Sequence, residues 1–386
     1  MNVRLSIASL LFCLFPVSLA AQCFNPATVY VDLTSYPAGI AVADFNHDGR
    51  LDIAVAGINN SSTGQGSIEV LPGNGDGTFG TPFIYASTEL YGTVDLAAGD
   101  FDNDGNLDLL AVGFFSPGNS VSLFLGNGDG TFRLATSTNT SLALYSVAVG
   151  DFDEDGNLDA VVSTYNAKSI GVIFGNGDGT LSGPLRYPNG GRNPWKVRIA
   201  DFNRDGHLDI SIVNSGSYLL VPTVSIHLGN GDGTFTPAGN FTTKGSEAFS
   251  QAIGDFNEDG IPDIAVADTN SQDVGIAIGR GDGTFAHPVL YPVAYPWDIA
   301  ASDVNRDGHL DLVTIYPGNP PSVPAQVSVQ LGNGDGTFQA PIVDKNLPSN
   351  SDRIVLADLN GDGSPDFVST DGLAKIAVGL NTGHCP

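Results

Sequence analysis

A nine-residue acidic motif, D-[FVL]-[ND]-x-D-G-x-x-D, recurs seven times in the 386-residue chain. Its copies are spaced 48 to 56 residues apart and begin at Asp44, Asp100, Asp151, Asp201, Asp255, Asp303 and Asp358. A second motif, G-[NR]-G-D-G-T-[FL], follows the first six copies, and after the seventh copy it decays at residues 379–383. Repeats of about 50 residues predict a solenoid, an array of small units or a propeller.

Each repeat contains four short runs that are typical of β-strands. In the third copy, runs at 146–150 and 158–163 flank the acidic motif, a third run at 169–174 ends in an Asn-Gly-Asp-Gly turn, and a weaker run lies near 185–187. Asn-Gly and Asp-Gly accept positive φ and favour hairpins. No run shows the 3.6-residue period of a long helix. We therefore predict an all-β, seven-bladed propeller of four-stranded antiparallel blades.

A row of independent domains is the alternative architecture, but units of about 50 residues bury too little apolar surface to be stable alone. The residue before each acidic motif supports a ring because it is always small. We expect the strand that carries it to be innermost, where the blades converge, although small residues are also common near turns. These residues are Ala43, Gly99, Gly150, Ala200, Gly254, Ser302 and Ala357.

The two ends of the chain predict how the ring closes. The last repeat supplies only three strands, whereas residues 25–31 resemble the outer strand that follows each hairpin. We expect this N-terminal strand to complete the seventh blade and remove an open sheet edge. That arrangement places Cys23 beside Cys385, and we predict a disulfide between them. In the entropic account, closing so long a loop stabilises the fold by about 4–5 kcal/mol.

The acidic motifs predict metal-binding loops. In the second copy, Asp100, Asp102, Asp104 and Asp108 occupy positions 1, 3, 5 and 9, and Gly105 permits the sharp turn at position 6. Position 7 offers its backbone carbonyl. Several hard oxygen ligands in a flexible loop favour Ca²⁺ over Mg²⁺, which requires a stricter octahedron and more water. The alternative is that Asp and Gly are simply common in turns, and its weakness is that seven copies keep the same pattern.

We therefore predict up to seven Ca²⁺ ions. Positions 1, 3, 5 and 9 hold 23 of the 42 acidic residues, and three or four anions in one loop repel one another without a cation. Seven ions would bring the formal charge from −27 to −13. The predicted ligands, with the carbonyl donor of position 7 fourth in each group of five, are Asp44, Asn46, Asp48, Arg50, Asp52; Asp100, Asp102, Asp104, Asn106, Asp108; Asp151, Asp153, Asp155, Asn157, Asp159; Asp201, Asn203, Asp205, His207, Asp209; Asp255, Asn257, Asp259, Ile261, Asp263; Asp303, Asn305, Asp307, His309, Asp311; and Asp358, Asn360, Asp362, Ser364, Asp366.

These loops on strand hairpins resemble the FG-GAP repeats of the integrin α-subunit N-terminal propeller. The G-N-G-D-G-T-F hairpins are similar to those of secreted bacterial FG-GAP/VCBS repeat proteins. The resemblance covers essentially all of the chain after its first 21 residues and implies a Ca²⁺-binding propeller. The family includes adhesion modules, lectins and propeller parts of enzymes. The chain shows no additional domains, so an integrin-type heterodimer is not implied.

Aromatic residues precede the inner strand in six repeats: Tyr36, Tyr91, Tyr145, Trp195, Phe249 and Trp297, with Arg353 nearby in the seventh. On the face opposite the calcium loops, such a ring can stack on sugars or bind a peptide; packing between blades is the alternative. The first candidates for ligand contact are Tyr187, Asn193, Trp195, Tyr291, Tyr295 and Trp297. We expect a binding or adhesion module for an extracellular glycan or protein.

An enzyme is the rival class. No nucleophile–His–acid pattern or phosphate loop occurs outside the repeats. Some lyases with calcium propellers resemble this architecture and act on sugar acids with a basic residue. Lys196, Arg198 and Arg192 are the candidates for that residue, so a calcium-dependent, polysaccharide-active enzyme is the alternative function.

The start of the chain and its charge predict where the protein works. A basic start, an apolar run from Leu5 to Leu19 and small residues near Ala20 indicate a signal peptide over residues 1–21, followed by a single domain over 22–386. A membrane anchor is the alternative, but the run is short for a bilayer span. The charge of −27 excludes nucleic acid as a partner. We expect a secreted or periplasmic monomer.

Overall fold

A computed structural model of the chain shows an all-β protein. It describes residues 22–385 except 31–32, 34, 59–64, 115–119, 141, 166, 216–220, 319–324, 345–346, 348–350, 372–373 and 384. The predicted signal peptide, residues 1–21, lies outside the described residues. The described part of the chain forms 28 strands and contains no helix, so no helix in it is long and apolar enough to cross a membrane.

The strands form seven four-stranded antiparallel sheets, which confirms the seven-bladed propeller. Strand β1 (Thr28–Tyr30) belongs to the last blade, and the other strands follow blade by blade in chain order. Each blade is given from its innermost strand outward. Blade 1 contains β2 (Tyr36–Ala43), β3 (Asp52–Ile58), β4 (Gln65–Leu71) and β5 (Phe83–Tyr91); blade 2 contains β6 (Thr93–Gly99), β7 (Asp108–Gly113), β8 (Ser120–Gly126) and β9 (Phe132–Asn139); blade 3 contains β10 (Leu144–Gly150), β11 (Asp159–Thr164), β12 (Ser169–Gly175) and β13 (Leu181–Pro188); blade 4 contains β14 (Pro194–Ala200), β15 (Asp209–Asn214), β16 (Thr223–Gly229) and β17 (Phe235–Thr242). Blade 5 contains β18 (Ala248–Gly254), β19 (Asp263–Asp268), β20 (Asp273–Ala277) and β21 (Val289–Pro292); blade 6 contains β22 (Asp298–Ser302), β23 (Asp311–Tyr316), β24 (Gln326–Gln330) and β25 (Ile342–Asp344); blade 7 contains β26 (Ser351–Ala357), β27 (Asp366–Asp371), β28 (Lys375–Gly379) and β1.

The N-terminal strand closes the ring as predicted. Strand β1 pairs antiparallel with β28, with Thr28 opposite Val378, and Phe24 forms a further bridge with Asn381. A disulfide joins Cys23 to Cys385, which confirms the predicted pairing. The last blade therefore takes strands from both ends of the chain, and no edge of β28 is left open.

The hydrophobic core is divided among the seven interfaces between neighbouring blades. Each interface holds its own cluster of buried apolar side chains. The cluster between blades 2 and 3, for example, contains Leu110 and Leu123 from one blade and Leu144 and Val162 from the other. Burying one such side chain contributes about 1.5–3 kcal/mol. A blade standing alone would expose both faces, which is why the array of independent domains fails.

The small residue before each acidic loop has a specific packing reason. A β-carbon on Gly99 would lie 2.5 Å from the Leu158 side chain of the next blade, and one on Gly150 would lie 2.6 Å from Leu208. At Gly99, Gly150 and Gly254 the residue must be small because the leucine at position 8 of the following loop fills the space beside it. Neighbouring blades therefore approach each other closely here, as expected, through the contact between this small residue and the leucine of the next blade.

Candidate functional site

Each acidic loop connects the first and second strands of a blade and is coiled by its own side chains. In the first loop, Asp44 accepts hydrogen bonds from the backbone N–H groups of Asp48 (3.1 Å) and Gly49 (2.8 Å). His47 and Gly49 adopt positive φ, 57° and 82°, which the tight coil requires. The glycine bond to the first aspartate recurs in the other six loops, and the bond from position 5 recurs in five of them.

The coil brings carboxylates together. In the second loop, one oxygen each of Asp100, Asp102 and Asp104 lie within 4.8 Å of one another, and in the third loop the same holds for Asp151, Asp153 and Asp159. One oxygen of Asp102 and one of Asp151 are buried without a hydrogen-bond partner. Buried anionic oxygens that lack a donor are costly. The two sites therefore fit a cation with hard oxygen ligands.

The ninth aspartate ties its loop to the rest of the blade. Asp108 is fully buried, and its two oxygens accept hydrogen bonds from the backbone N–H groups of Phe101 (2.7 Å) and Gly126 (2.8 Å). Gly126 opens the second repeat motif, so this one carboxylate joins both motifs. The sequence motif predicts only its role as a ligand. The same pair of bonds is made by Asp52, Asp159, Asp209, Asp263, Asp311 and Asp366.

Burial dominates the electrostatics of these ninth aspartates. It raises the pKa of Asp108 to about 6, against the two backbone N–H groups, and the nearby Asp102 and Asp100 raise that pKa further. The pKa is raised to about 6 in the same way at Asp159, Asp209, Asp263, Asp311 and Asp366. A site that disfavours its own negative charge favours a bound cation.

Position 7 has a second role that the sequence analysis missed. In four loops its side chain bonds to position 4 of the preceding blade: Asn106 bonds to His47 at 3.0 Å, and Asn157 accepts from Asn103 at 2.8 Å. His207 bonds to Glu154, which raises the pKa of the imidazole. His309 pairs with Glu258 in the same way. These contacts link neighbouring loops. Comparing position 7 of each repeat with position 4 of the preceding repeat would have predicted them, because the paired side chains are complementary.

The aspartates of the second motif are used within their own turns. Asp76 accepts hydrogen bonds from the N–H (3.0 Å) and hydroxyl (2.6 Å) of Thr78, which lowers its pKa. These turns also contact the neighbouring blade. In the second copy, Gly130 of blade 2 donates its N–H to the Phe45 carbonyl of blade 1 at 3.1 Å. These aspartates therefore stabilise the geometry of their own turns.

At the opposite end of the inner strands, four aromatic rings from consecutive blades form a continuous band, which we call the aromatic arc. It consists of Tyr145, Trp195, Phe249 and Trp297, all partly buried. Successive ring centroids are 3.9, 4.9 and 4.6 Å apart. The rings pack on one another between blades, as the alternative interpretation held, and each keeps part of its surface exposed.

A β-bulge positions the arc. The register shifts between Leu144 and Ser146 and again between Ala248 and Ser250, so Tyr145 and Phe249 are the extra residues of their strands. Bulges re-aim a side chain. Counted back from the loop, the equivalent residues of blades 1, 2 and 7 are Ala38, Val94 and Asp352. The expected equivalents Tyr36 and Tyr91 are therefore out of register, and the arc spans blades 3 to 6 rather than the full ring.

The six predicted ligand contacts are distributed over different places. Trp195 and Trp297 belong to the arc. Tyr295 is 40% exposed and stacks on Tyr316 at 5.3 Å, and the Asn193 carbonyl accepts from the Ser215 N–H. Tyr187 and Tyr291 lie on the outer strands β13 and β21, where their rings pack edge-on against Phe235 and Phe338 of the next blade.

Beneath the arc, the inner strands carry a charged network. Lys196 and Asp95 are buried and form an ion pair at 3.1 Å across the channel. Burial would raise the pKa of Asp95, but Lys196 and then Arg353 hold it below its usual value. Of the basic residues considered for catalysis, Lys196 is thus engaged, Arg198 lines the channel and Arg192 is exposed.

Fold and loops together define a class: seven-bladed propellers with an acidic nine-residue loop between the first two strands of each blade. The family model for the FG-GAP-like repeat matches residues 44–111, 100–162, 151–212, 212–266 and 255–314. The chain belongs to this family, as the sequence resemblance predicted.

Two curated proteins are similar in sequence to part of this chain. Integrin alpha-V of Gallus gallus is 28% identical over 211 residues, which are 44% of this chain and 19% of that protein. The T-cell immunomodulatory protein homolog of Plasmodium yoelii yoelii is 25% identical over 260 residues, 57% of this chain and 36% of that protein. The matches thus span well under half of these relatives' length.

Solved structures share the fold. BBS1N, from its complex with ARL6DN, has a TM-score of 0.62 at 10% identity and covers 93% of this chain and 97% of its own. Virginiamycin B lyase from Staphylococcus aureus has a TM-score of 0.58 at 14% identity and covers 92% of this chain and 99% of its own. At such identities the similarity concerns the fold alone.

Proposed function

We propose that the protein is an extracellular binding module, with Ca²⁺ in its acidic loops and a carbohydrate or protein ligand at the aromatic arc. The arc is the observation that carries the proposal. Partly exposed Trp and Tyr rings at a channel mouth offer flat apolar faces with polar edges, which suit sugars and peptides. The family, whose members are typically extracellular, and the disulfide, which persists in oxidising compartments, support the location.

Calcium is supported by the loops themselves. Two of them gather three carboxylate oxygens within 4.8 Å, and both contain a buried oxygen without a donor. The ligand class is supported by analogy, since one relative is named an integrin and one structural neighbour was solved with a protein partner. Neither names the ligand of this chain.

The test is a glycan array probed with the Ca²⁺-loaded protein. We expect binding to one glycan class, lost when Trp195 and Trp297 are both replaced by Ala. Tyr187→Ala is the matched control, because Tyr187 packs on the outer strand and donates its hydroxyl hydrogen to the Gly233 carbonyl at 3.2 Å. A double variant that binds like the wild type would refute the arc as the ligand face. If no glycan binds, cross-linking to extracellular proteins tests the protein ligand by the same pair of variants.

A calcium-dependent lyase is the second candidate because a structural neighbour is a lyase. The site gives it less support, since Lys196 is buried in its ion pair with Asp95 rather than free to accept a proton. Turnover of pectin-type polymers by the wild type, abolished in Lys196→Met, would establish this activity in place of simple binding.

A further inference from the structure

A cavity of about 110 Å³ lies on the axis of the propeller. Six of the seven innermost strands line it, so it is the central channel itself. Its walls combine apolar side chains with five charged groups: Asp95, Lys196, Arg198, Asp298 and Arg353. For scale, a cavity of about 150 Å³ holds one benzene ring. The channel thus has room for a small group of a few heavy atoms.

Four of the charged groups come from one layer of the channel. The residue five places before each acidic loop is Gly39, Asp95, Ser146, Lys196, Ser250, Asp298 or Arg353. Gly39 has no room for a side chain, since a β-carbon would lie 2.8 Å from the Asp95 backbone. The layer therefore gathers two cations, two anions and two hydroxyls at one height, although every strand comes from a different repeat.

Both carboxylates of the layer already accept hydrogen bonds from the protein. Asp95 accepts from the Lys196 ammonium, from the Ser146 hydroxyl at 2.8 Å and from the Val147 N–H at 3.1 Å. Asp298 accepts from the Ser250 hydroxyl and from the N–H groups of Ile299 and Ile354, each at 3.0 Å. Asp95 is thus paired with Lys196 through one oxygen, and both oxygens of Asp298 already have donors.

The two arginines keep unused donors. A guanidinium has five N–H donors. Arg198 donates one to the adjacent Val197 carbonyl at 3.2 Å, and Arg353 donates to the carbonyls of Ala38 and Asp352 at 3.1 and 3.4 Å, next to the Tyr145 ring. Among the described residues, no carboxylate forms a salt bridge with either arginine.

The residues that line the channel carry one more positive than negative charge, in an otherwise strongly negative protein. Three of its 15 Lys and Arg residues line the cavity against two carboxylates, whereas the whole chain carries −27. Asp352, the residue before Arg353, is a further carboxylate that interacts electrostatically with Arg353, and it accepts the Thr370 hydroxyl hydrogen at 2.6 Å. Arg198 lies three places before its acidic loop, outside the layer described above. Five other blades carry alanine at this position: Ala41, Ala97, Ala148, Ala252 and Ala300.

We infer that the channel binds a carboxylate, held by the free donors of Arg198 and Arg353 between apolar walls. Planar guanidinium groups match a carboxylate geometrically. The apolar lining by Ile40, Leu96, Val147, Ile354 and Val355 favours a carboxylate that carries carbon over a phosphate. This inference does not depend on the proposed calcium ions or on the ligand of the aromatic arc. The carboxylate can belong to a small free acid or to an acidic sugar.

The experiment titrates the full chain with acetate, propionate and glucuronate by calorimetry, with glucose and phosphate as comparators. We expect at least one carboxylate to bind and its affinity to fall about ten-fold or more in Arg198→Ala. That variant should fold normally, because alanine is the native residue at this height in five blades. Binding of acetate identifies a free acid as the source, and binding of glucuronate alone identifies an acidic sugar.

Arg192→Ala is the matched control, because it removes the same charge from an exposed position. Its carboxylate affinity should equal that of the wild type. Equal weakening in both variants would show a general charge effect and overturn the inference. Three other results would overturn it as well: full affinity in Arg198→Ala, binding of glucose as tight as that of glucuronate, or no binding of any carboxylate at millimolar concentration. Arg353→Lys keeps the charge and loses the planar fork, so we expect it to weaken binding as well.

Discussion

At the scale of single residues, the ninth aspartate of each loop combines a structural role with its proposed ligand role. Each of its oxygens accepts one backbone N–H, yet a carboxylate has about four acceptor sites. It can therefore hold the loop and still face an ion. The third position differs, because Asp102 leaves one buried oxygen with no donor and five other loops carry Asn there.

This difference predicts different costs for two similar substitutions. Asp108→Asn places an amide NH₂ against one of the two backbone N–H groups, which then loses its acceptor. We expect a loss of about 1–3 kcal/mol in the free energy of unfolding, with or without chelator. Urea unfolding monitored by fluorescence measures it.

The control for that prediction is Asp102→Asn, which imitates the third position of loops 1, 4, 5, 6 and 7. We expect it to have little effect on unfolding in chelator and to weaken Ca²⁺ binding only in the second loop. An equal loss of stability in both variants would contradict the separate role of the ninth aspartate.

The sequence could predict the loop residues because each loop is local and repeated. It could not predict the partners of positions 4 and 7, such as His47 with Asn106, because these lie 59 residues apart and meet only in the closed ring. The free carboxylate oxygens likewise depend on how the next blade covers the loop.

At the scale of strands, counting along the chain misplaced the aromatic residues. Tyr36 and Trp195 look equivalent in the sequence because both come shortly before an inner-strand pattern, but the bulge in β2 falls between Pro37 and Gly39, which makes Ala38 the equivalent residue. A bulge inserts one residue without a clear sequence signal. Strand number, order and antiparallel pairing were predictable, because hairpin turns mark them.

Strand β1 carries the prediction that belongs to this scale. It pairs with β28 at only three positions, and its hold is reinforced by the buried Phe24, whose ring meets Phe367 edge-on at 5.0 Å, and by the disulfide. Cys23→Ser removes a cross-link between residues 362 apart. We expect stability to fall by about 2–5 kcal/mol, and the amides of β28 to exchange faster with solvent.

Reduced wild-type protein serves as the comparison, because it should reproduce the variant in both measurements. Intact mass before and after reduction verifies the bond. Two alkylatable thiols in the native protein, or unfolding of Cys23→Ser at an unchanged urea concentration, would show that the ring does not depend on this cross-link.

At the scale of the molecule, cohesion and repulsion are arranged at different places. Seven apolar clusters hold the blades together along their faces. The acidic loops gather at one end of the same blades, and their positions 1, 3, 5 and 9 alone hold 23 of the 42 acidic residues. Without cations, like charges within each loop oppose the coil that the backbone hydrogen bonds form. Divalent ions would remove this repulsion within each loop, at the end of the molecule where side chains at positions 4 and 7 link neighbouring loops.

This arrangement predicts that stability depends on Ca²⁺ itself and not on screening alone. Chelator should lower the melting temperature, and restored Ca²⁺ should raise it by mass action. Each site adds about 2.7 kcal/mol to the free energy of unfolding when Ca²⁺ is at one hundred times its dissociation constant. Scanning calorimetry gives the shift, and titration calorimetry gives a stoichiometry of up to seven. Sodium chloride at matched ionic strength screens the loops without occupying them, and Mg²⁺ fits a flexible oxygen cage less well. Both should therefore recover only part of the shift, and a chelated protein that melts at the same temperature as the loaded one would leave the loops as turns alone.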